Sequence, residues 1–205
     1  MITPDDVSGL VLAGGQGRRM QQSGQTSAEK GLLELHGRPL VSWAVDALPT
    51  ALHTVYISAN RCQDRYAEYG LVVPDDPSMG MYSGPLAGIA SGMRRMSTPW
   101  LYVVPADVPC PPTLLFDRLL EHVNAHACSL AYAHADQPQP LFMLVHLNLL
   151  DSLQRYVRQE FRQVQGWQHD HGMAVQFDPD IEGFFNINTP DDMRRAHQII
   201  SARDA

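Results

Sequence analysis

The chain has 205 residues, 44% hydrophobic and 18% charged, enough for one globular domain that buries a core without disulfides or a structural metal. Its net charge of −7 argues against general nucleic-acid or anionic-membrane binding, both of which need broad basic surface. No apolar run is long enough to span a bilayer, Met1 to Gly9 lacks a basic stretch ahead of an apolar core, and Cys62, Cys110 and Cys128 have no C-x-x-C spacing, so a cytoplasmic location with reduced thiols is expected.

In chain order, Gly9–Ala13 reads as a short buried strand, and Leu40, Trp43, Ala44, Ala47 and Leu48 recur at helical spacing. Thr54–Ala59 and Leu71–Val73 are the next strands. Ile89, Met93 and Met96 mark a helix, Trp100–Val104 a strand, and Leu115, Leu119 and Val123 another helix. Beyond Ala127 the pattern loosens. Ser129–His134 and Leu141–Val145 read as strands separated by a Pro-containing loop, Leu147–Gln159 as a helix and Ala174–Phe177 as a short strand. Thr189-Pro190 opens a closing helix over Asp191–Ile200, since Thr, Pro and acidic residues suit a helix start. Strands alternating with helices predict an α/β fold with a mostly parallel central sheet covered by helices. A single domain over residues 1–205 is expected, with a nucleotide half (about 1–110) and an acceptor half (about 111–205).

The first strand runs into Gly14-Gly15-Gln16-Gly17-Arg18-Arg19-Met20, and Lys30-Gly31 follows a polar loop. Glycines let backbone N–H groups approach an anion, while arginine and lysine neutralise it. Lys30 is the one lysine among 15 basic residues, which points to a compact ammonium at this position. Met20 stands where a dinucleotide fingerprint needs its third glycine, and no P-loop pattern occurs, so the loop suits a triphosphate.

Asp107 follows the strand Trp100–Val104, at the edge where open α/β sheets bind ligands. It is either a single-carboxylate Mg²⁺ ligand or a turn cap ahead of Pro109. Gly84 and Gly88 in Ser83-Gly84-Pro85-Leu86-Ala87-Gly88 would admit a flat ligand, and a tight turn with a small packing face explains them equally well. Asn186 and Asn188 fall on one side of an extended Phe185–Asn188, where they could bind a polar second substrate, or Asn188 could cap the last helix. His169-Asp170-His171 reads as a solvated loop, and His122 and His126 lack a third ligand.

Taken together, these residues resemble the molybdenum cofactor guanylyltransferases, the MobA family. The likeness lies in Leu12-Ala13-Gly14-Gly15-x-Gly17-x-Arg19-Met20, Lys30-Gly31-Leu32, Gly84-Pro85-Leu86-Ala87-Gly88, Asp107-x-Pro109, Gln139-Pro140-Leu141-Phe142 and Phe185-Asn186-Ile187-Asn188-Thr189-Pro190. The resemblance implies a three-layer, Rossmann-like nucleotidyltransferase fold of the glycosyltransferase-A type. It further implies transfer of GMP from Mg·GTP to the terminal phosphate of Mo-molybdopterin, with pyrophosphate released. Leu12, Ala13, Gly14, Gly15, Ser58, Asp76, Gly84 and Gly88 are then expected to bind nucleotide, with Arg19 and Lys30 on the phosphates and Asp107 on Mg²⁺. Asn186 and Asn188 are expected at the acceptor. Transient contacts with cofactor-synthesis proteins and apo-molybdoenzymes are implied as well. Two positions depart from the family pattern: Glu29 replaces an Asp after a longer 21–28 loop, and Ser58 replaces an Asn. A cytidylyl- or sugar-nucleotidyltransferase, or a non-catalytic GTP-binding partner protein, would use the same loop.

Overall fold

The computed structural model describes residues 1–14, 29–77, 84–178 and 182–203. Its elements in chain order are β1 (Val7–Leu12), β2 (Glu34–Leu35), β3 (Arg38–Pro39), α1 (Leu40–Asp46), β4 (Val55–Ser58), α2 (Gln63–Tyr66), β5 (Leu71–Val73) and α3 (Pro85–Arg95). Then come β6 (Trp100–Pro105), α4 (Leu115–His126), β7 (Leu130–His134), β8 (Pro138–His146), α5 (Leu150–Arg158), α6 (Val164–His171), β9 (Met173–Gln176) and α7 (Pro190–Arg203).

Seven strands form one sheet in the order β5-β4-β1-β6-β8-β7-β9. Four of the six pairings are parallel, and the two involving β8 are antiparallel. The central strands β1 and β6 are buried almost throughout, because helices cover both faces. Val7, Val11, Tyr102 and Val104 pack on α1 and α4 through Val41, Ala44, Leu119 and Val123. Leu10, Leu101 and Val103 face α3, α5 and α6 through Ile89, Met93, Leu153, Val157 and Trp167. Three layers result. A third cluster joins Leu35 and Leu40 to Ile187, Ala196 and Ile200, tying α7 to the N-terminal half.

The C-terminal half differs from the sequence expectation in two places. The segment expected to be a Pro-containing loop ahead of Leu141 is instead the start of β8, which begins at Pro138. Opposite β7 the register jumps from Tyr132↔Met143 to Ala133↔Gln139, and this irregularity accommodates Pro140, which has no N–H for a ladder. The second difference is α6, where His169, Asp170 and His171 form the last turn of a helix rather than a loop. Val164, Trp167 and Gln168 bury at i, i+3 and i+4, and the buried Gln168 donates its Nε2 to the Pro140 carbonyl at 2.8 Å. A glutamine on the inner face broke the apolar pattern that would have revealed the helix.

Candidate active site at the β1–β6 switch point

The strand order reverses between β1 and β6: the chain first builds outward through β4 and β5, then returns to β1's other side. Crossovers leave in opposite directions there, so a crevice opens beyond the carboxyl ends of the two strands. Two backbone bonds extend the order past the strand ends. Ala106 N–H donates to the Leu12 carbonyl at 3.0 Å and Ala13 N–H to the Ser58 carbonyl at 2.9 Å. Leu12, Ala13 and Gly14 on one strand end and Asp107 on the other therefore frame the same crevice. Gly15 and Arg19 lie outside the described residues.

Lys30 reaches this crevice from a single 3-10 turn, Lys30–Leu32. Its ammonium donates to Asp107 Oδ2 and, at 2.7 Å, to Asn188 Oδ1. The Lys30 and Asp107 side chains are 12% and 24% exposed, so water screens the pair only partly. Three residues far apart in the chain thus converge on one charge. The partners are held from behind: Ile187 N–H donates to the Asp107 carbonyl at 2.9 Å, fixing the extended segment against the β6 turn. Ile187 is fully buried while Asn186 and Asn188 are exposed on the other side, as the alternation of an extended segment requires.

Asp192 then locks the start of α7. Its Oδ2 accepts from the N–H groups of Asn188 and Thr189, each at 2.8 Å, and its own N–H donates to Thr189 Oγ1 at 3.1 Å. This is a capping box with Asp in the third position. The Asn188 N–H holds the Asp192 carboxyl below the usual carboxylate range; slight burial opposes this, and Thr189 and the Lys30 charge reinforce it.

The remaining positions read from sequence lie around the same edge with partners of their own. Ser58, 5% exposed, ends β4. A Cβ on Gly88 would stand 2.4 Å from Ser58 Oγ and 3.2 Å from Leu12 Cδ2, so glycine is what lets α3 lie against the sheet. Gly84 precedes α3 with φ +63, a conformation few side chains tolerate, and Pro85 takes the first helical position. Asp76 pairs with Arg94 of α3, and its N–H donates to Ser91 Oγ at 2.9 Å. Arg94 is therefore a residue of this edge that the sequence did not single out.

Arg61 is another, and it pairs with Glu29. Glu29's side chain is only 6% exposed, with Arg61 Nε 2.5 Å from its Oε1, an ion pair without hydrogen-bond alignment. Glu29 was visible beside Lys30, but no spacing in the sequence couples it to Arg61. Beside Asn186, Arg195 stacks over Phe185 at 4.7 Å from the ring centre. An apolar recess between Pro109, Cys110 and α7 lies next to it.

Hard oxygen donors suit a magnesium-sized cation here, since Asp107 and Asn188 oxygens already converge on a small ammonium. No group of three or more His, Cys, Asp or Glu able to hold a metal occurs among the described residues. No helix among the described residues is long and apolar enough to cross a membrane.

Residues 9–172 match the MobA-like NTP transferase domain. The chain is 38% identical over 204 residues to a protein of Cupriavidus taiwanensis named molybdenum cofactor guanylyltransferase, covering 97% of this chain and 99% of that relative. A protein of Cupriavidus necator with the same name is 36% identical over 200 residues, covering 95% and 98%. Among solved structures, molybdopterin-guanine dinucleotide biosynthesis protein A of Archaeoglobus fulgidus shares the fold, with a TM-score of 0.75 at 24% identity and coverage of 95% and 99%. A matching domain over most of the chain, full-length relatives and a crevice at the switch point agree: this chain belongs to the MobA-like NTP transferase family.

Proposed function

We propose that the protein transfers GMP from GTP to the terminal phosphate of Mo-molybdopterin, forming the guanine dinucleotide cofactor and releasing pyrophosphate. The observation that supports this reading is the Lys30 ammonium shared between Asp107 and Asn188, a phosphate-compatible charge in the crevice beyond β1 and β6. Nucleotide would lie along Leu12, Ala13, Gly14, Gly15, Ser58, Asp76, Gly84 and Gly88, all within residues 1–110. The acceptor would lie along Asn186 and Asn188, within residues 111–205.

An acceptor phosphate oxygen attacks the α-phosphorus of GTP, the bond from that phosphorus to the bridging oxygen breaks, and pyrophosphate leaves with the electron pair. The nucleophile is already an anion, so the protein needs orientation and charge relief more than a strong base. Lys30 and Arg19 relieve charge on the triphosphate. Asp107 would hold Mg²⁺, which would supply charge relief to the phosphates. Asn188 orients the acceptor by its amide. The setting is the cytoplasm, with transient contacts to cofactor-synthesis proteins and apo-molybdoenzymes.

Pyrophosphate release tests the reading, with GTP, CTP and ATP compared in the presence and absence of Mo-molybdopterin and Mg²⁺. Release specific to GTP and dependent on both additions is expected. Preference for CTP overturns the guanylyl assignment, and GTP binding without turnover overturns the enzyme assignment.

A further inference from the structure

A carboxylate is buried one residue before Lys30, and nothing in the transfer reaction itself uses it. Glu29 is 6% exposed at its side chain and pairs with Arg61, in the turn between β4 and α2. Burying a carboxylate is unfavourable unless a partner compensates, and an apolar side chain would fill the same space without that cost. The pair therefore stands where position matters.

The surroundings show which position. Tyr66, at the end of α2, is fully buried, and its hydroxyl donates to the Ala13 carbonyl at 3.3 Å. Burial and the neighbouring Glu29 charge both push this phenol up from its ordinary value, so it remains a neutral donor. A Cβ on Gly31 would lie 2.7 Å from the same hydroxyl, so the turn carrying Lys30 is seated directly on Tyr66. The turn closes through Leu32 N–H to the Glu29 carbonyl at 3.0 Å and Leu33 N–H to the Lys30 carbonyl at 3.1 Å. Ala13 and Lys30 thus rest on one platform, with Glu29 anchoring its near side to Arg61. A lysine side chain has four rotatable bonds, and where its ammonium can reach depends on how firmly its backbone is fixed.

We infer that Glu29 and Arg61 are positioning residues: their buried ion pair fixes the Lys30 turn on Tyr66, so that the ammonium meets the triphosphate at a set distance from Ala13. This rests on the proposed role of Lys30 as a phosphate ligand. Because the pair acts only through Lys30, its loss weakens recognition of the triphosphate and leaves recognition of the nucleoside and first phosphate intact.

The test is calorimetric titration of the full chain with Mg·GTP and with GMP, for wild type, Glu29→Gln, Lys30→Ala and the double variant. Glu29→Gln keeps size and removes the charge. It is expected to reduce the GTP-over-GMP preference about tenfold, the worth of the one charge-assisted bond that Lys30 would make to the triphosphate, with GMP affinity unchanged. Added to Lys30→Ala, it is expected to cause no further loss. Should Glu29→Gln not fold, Arg61→Gln carries the same test, since Arg61 is 40% exposed. An unchanged preference in Glu29→Gln beside a lost one in Lys30→Ala overturns the inference alone. So does an equal loss for both ligands, or an additive double variant. If Lys30→Ala itself keeps the preference, the phosphate role of Lys30 falls and the inference falls with it.

Discussion

Lys30 donates to Asp107 and Asn188 at once, so the ammonium holds two oxygens that are also suitable donors for a hard cation. A cation and a lysine cannot both occupy one carboxylate oxygen at full strength. Lys30→Met is accordingly expected to raise the affinity of the nucleotide-free protein for Mn²⁺ several-fold, about 1 kcal/mol for a partly exposed pair. Electron paramagnetic resonance of free Mn²⁺ during titration reads this directly. Unchanged or weaker binding would show that the ammonium and the metal do not share a position. In turnover the same residue works the other way: Asp107→Ala and Lys30→Ala are expected to abolish pyrophosphate release with the far-UV spectrum preserved. Lys30→Arg should be impaired too, because a planar guanidinium cannot occupy a point-charge site in the same way. Full activity in Lys30→Arg would remove the requirement for a compact charge. The sequence named Lys30, Asp107 and Asn188 separately, from a lone lysine, a strand end and an alternating segment. It could not show that one ammonium bonds both of the others, since that depends on contacts 77 and 158 residues apart along the chain.

At the scale of elements, two packing devices hold the crevice in shape. Gly88 brings α3 down onto β1 and β4, and Gly88→Ala would drive a methyl to 2.4 Å from Ser58 Oγ. Overpacking of this kind costs about 1–3 kcal/mol. Gly88→Ala/Ser58→Ala is expected to recover part of that loss, because the offending oxygen is gone. Thermal melts of the two variants decide it: equal melting temperatures would mean that the helix moves away from Ser58 instead. At α7, Asp192 accepts two backbone N–H groups, and Asp192→Ala is expected to cost about 1 kcal/mol at neutral pH. Its carboxyl titrates below the ordinary value, so this stabilisation is present above about pH 4 and is lost as acid protonates the folded form. The melting temperatures of variant and wild type should therefore converge in acid; a difference that persists there would assign the loss to packing. The parallel half of the sheet was legible because its strands are continuous apolar runs bounded by turns. α6 and the start of β8 were not. Their defining contact is Gln168 to Pro140, a polar side chain and an imino acid that both read as breakers until each is seen to satisfy the other.

For the whole molecule, the consequence of the fold is that the two ends of the chain close one site. Ile187 is fully buried with Leu35, Leu40, Ala196 and Ile200, and the extended segment it anchors carries Asn186 and Asn188. The β1 edge of the crevice is anchored separately, by β1 against β4 and β6. A net charge of −7 offers no long-range attraction for two polyanionic substrates, so affinity must come from these local groups held in register. Ile187→Ala removes buried carbon behind the asparagines and is expected to cost about 2–4 kcal/mol of stability. Below its melting transition the variant should retain the KM for GTP, because the substitution keeps the backbone N–H to Asp107 and the Ile187 side chain packs on Leu35, Leu40, Ala196 and Ile200 rather than on the β1 and β6 ends. The KM for Mo-molybdopterin should rise severalfold, because the segment bearing Asn186 and Asn188 loses its anchor. Steady-state kinetics with each substrate varied in turn separates these effects. Equal rises in both constants would mean that the acceptor segment and the nucleotide crevice move as one body, leaving the Lys30–Asn188 bond as the link that makes them rigid.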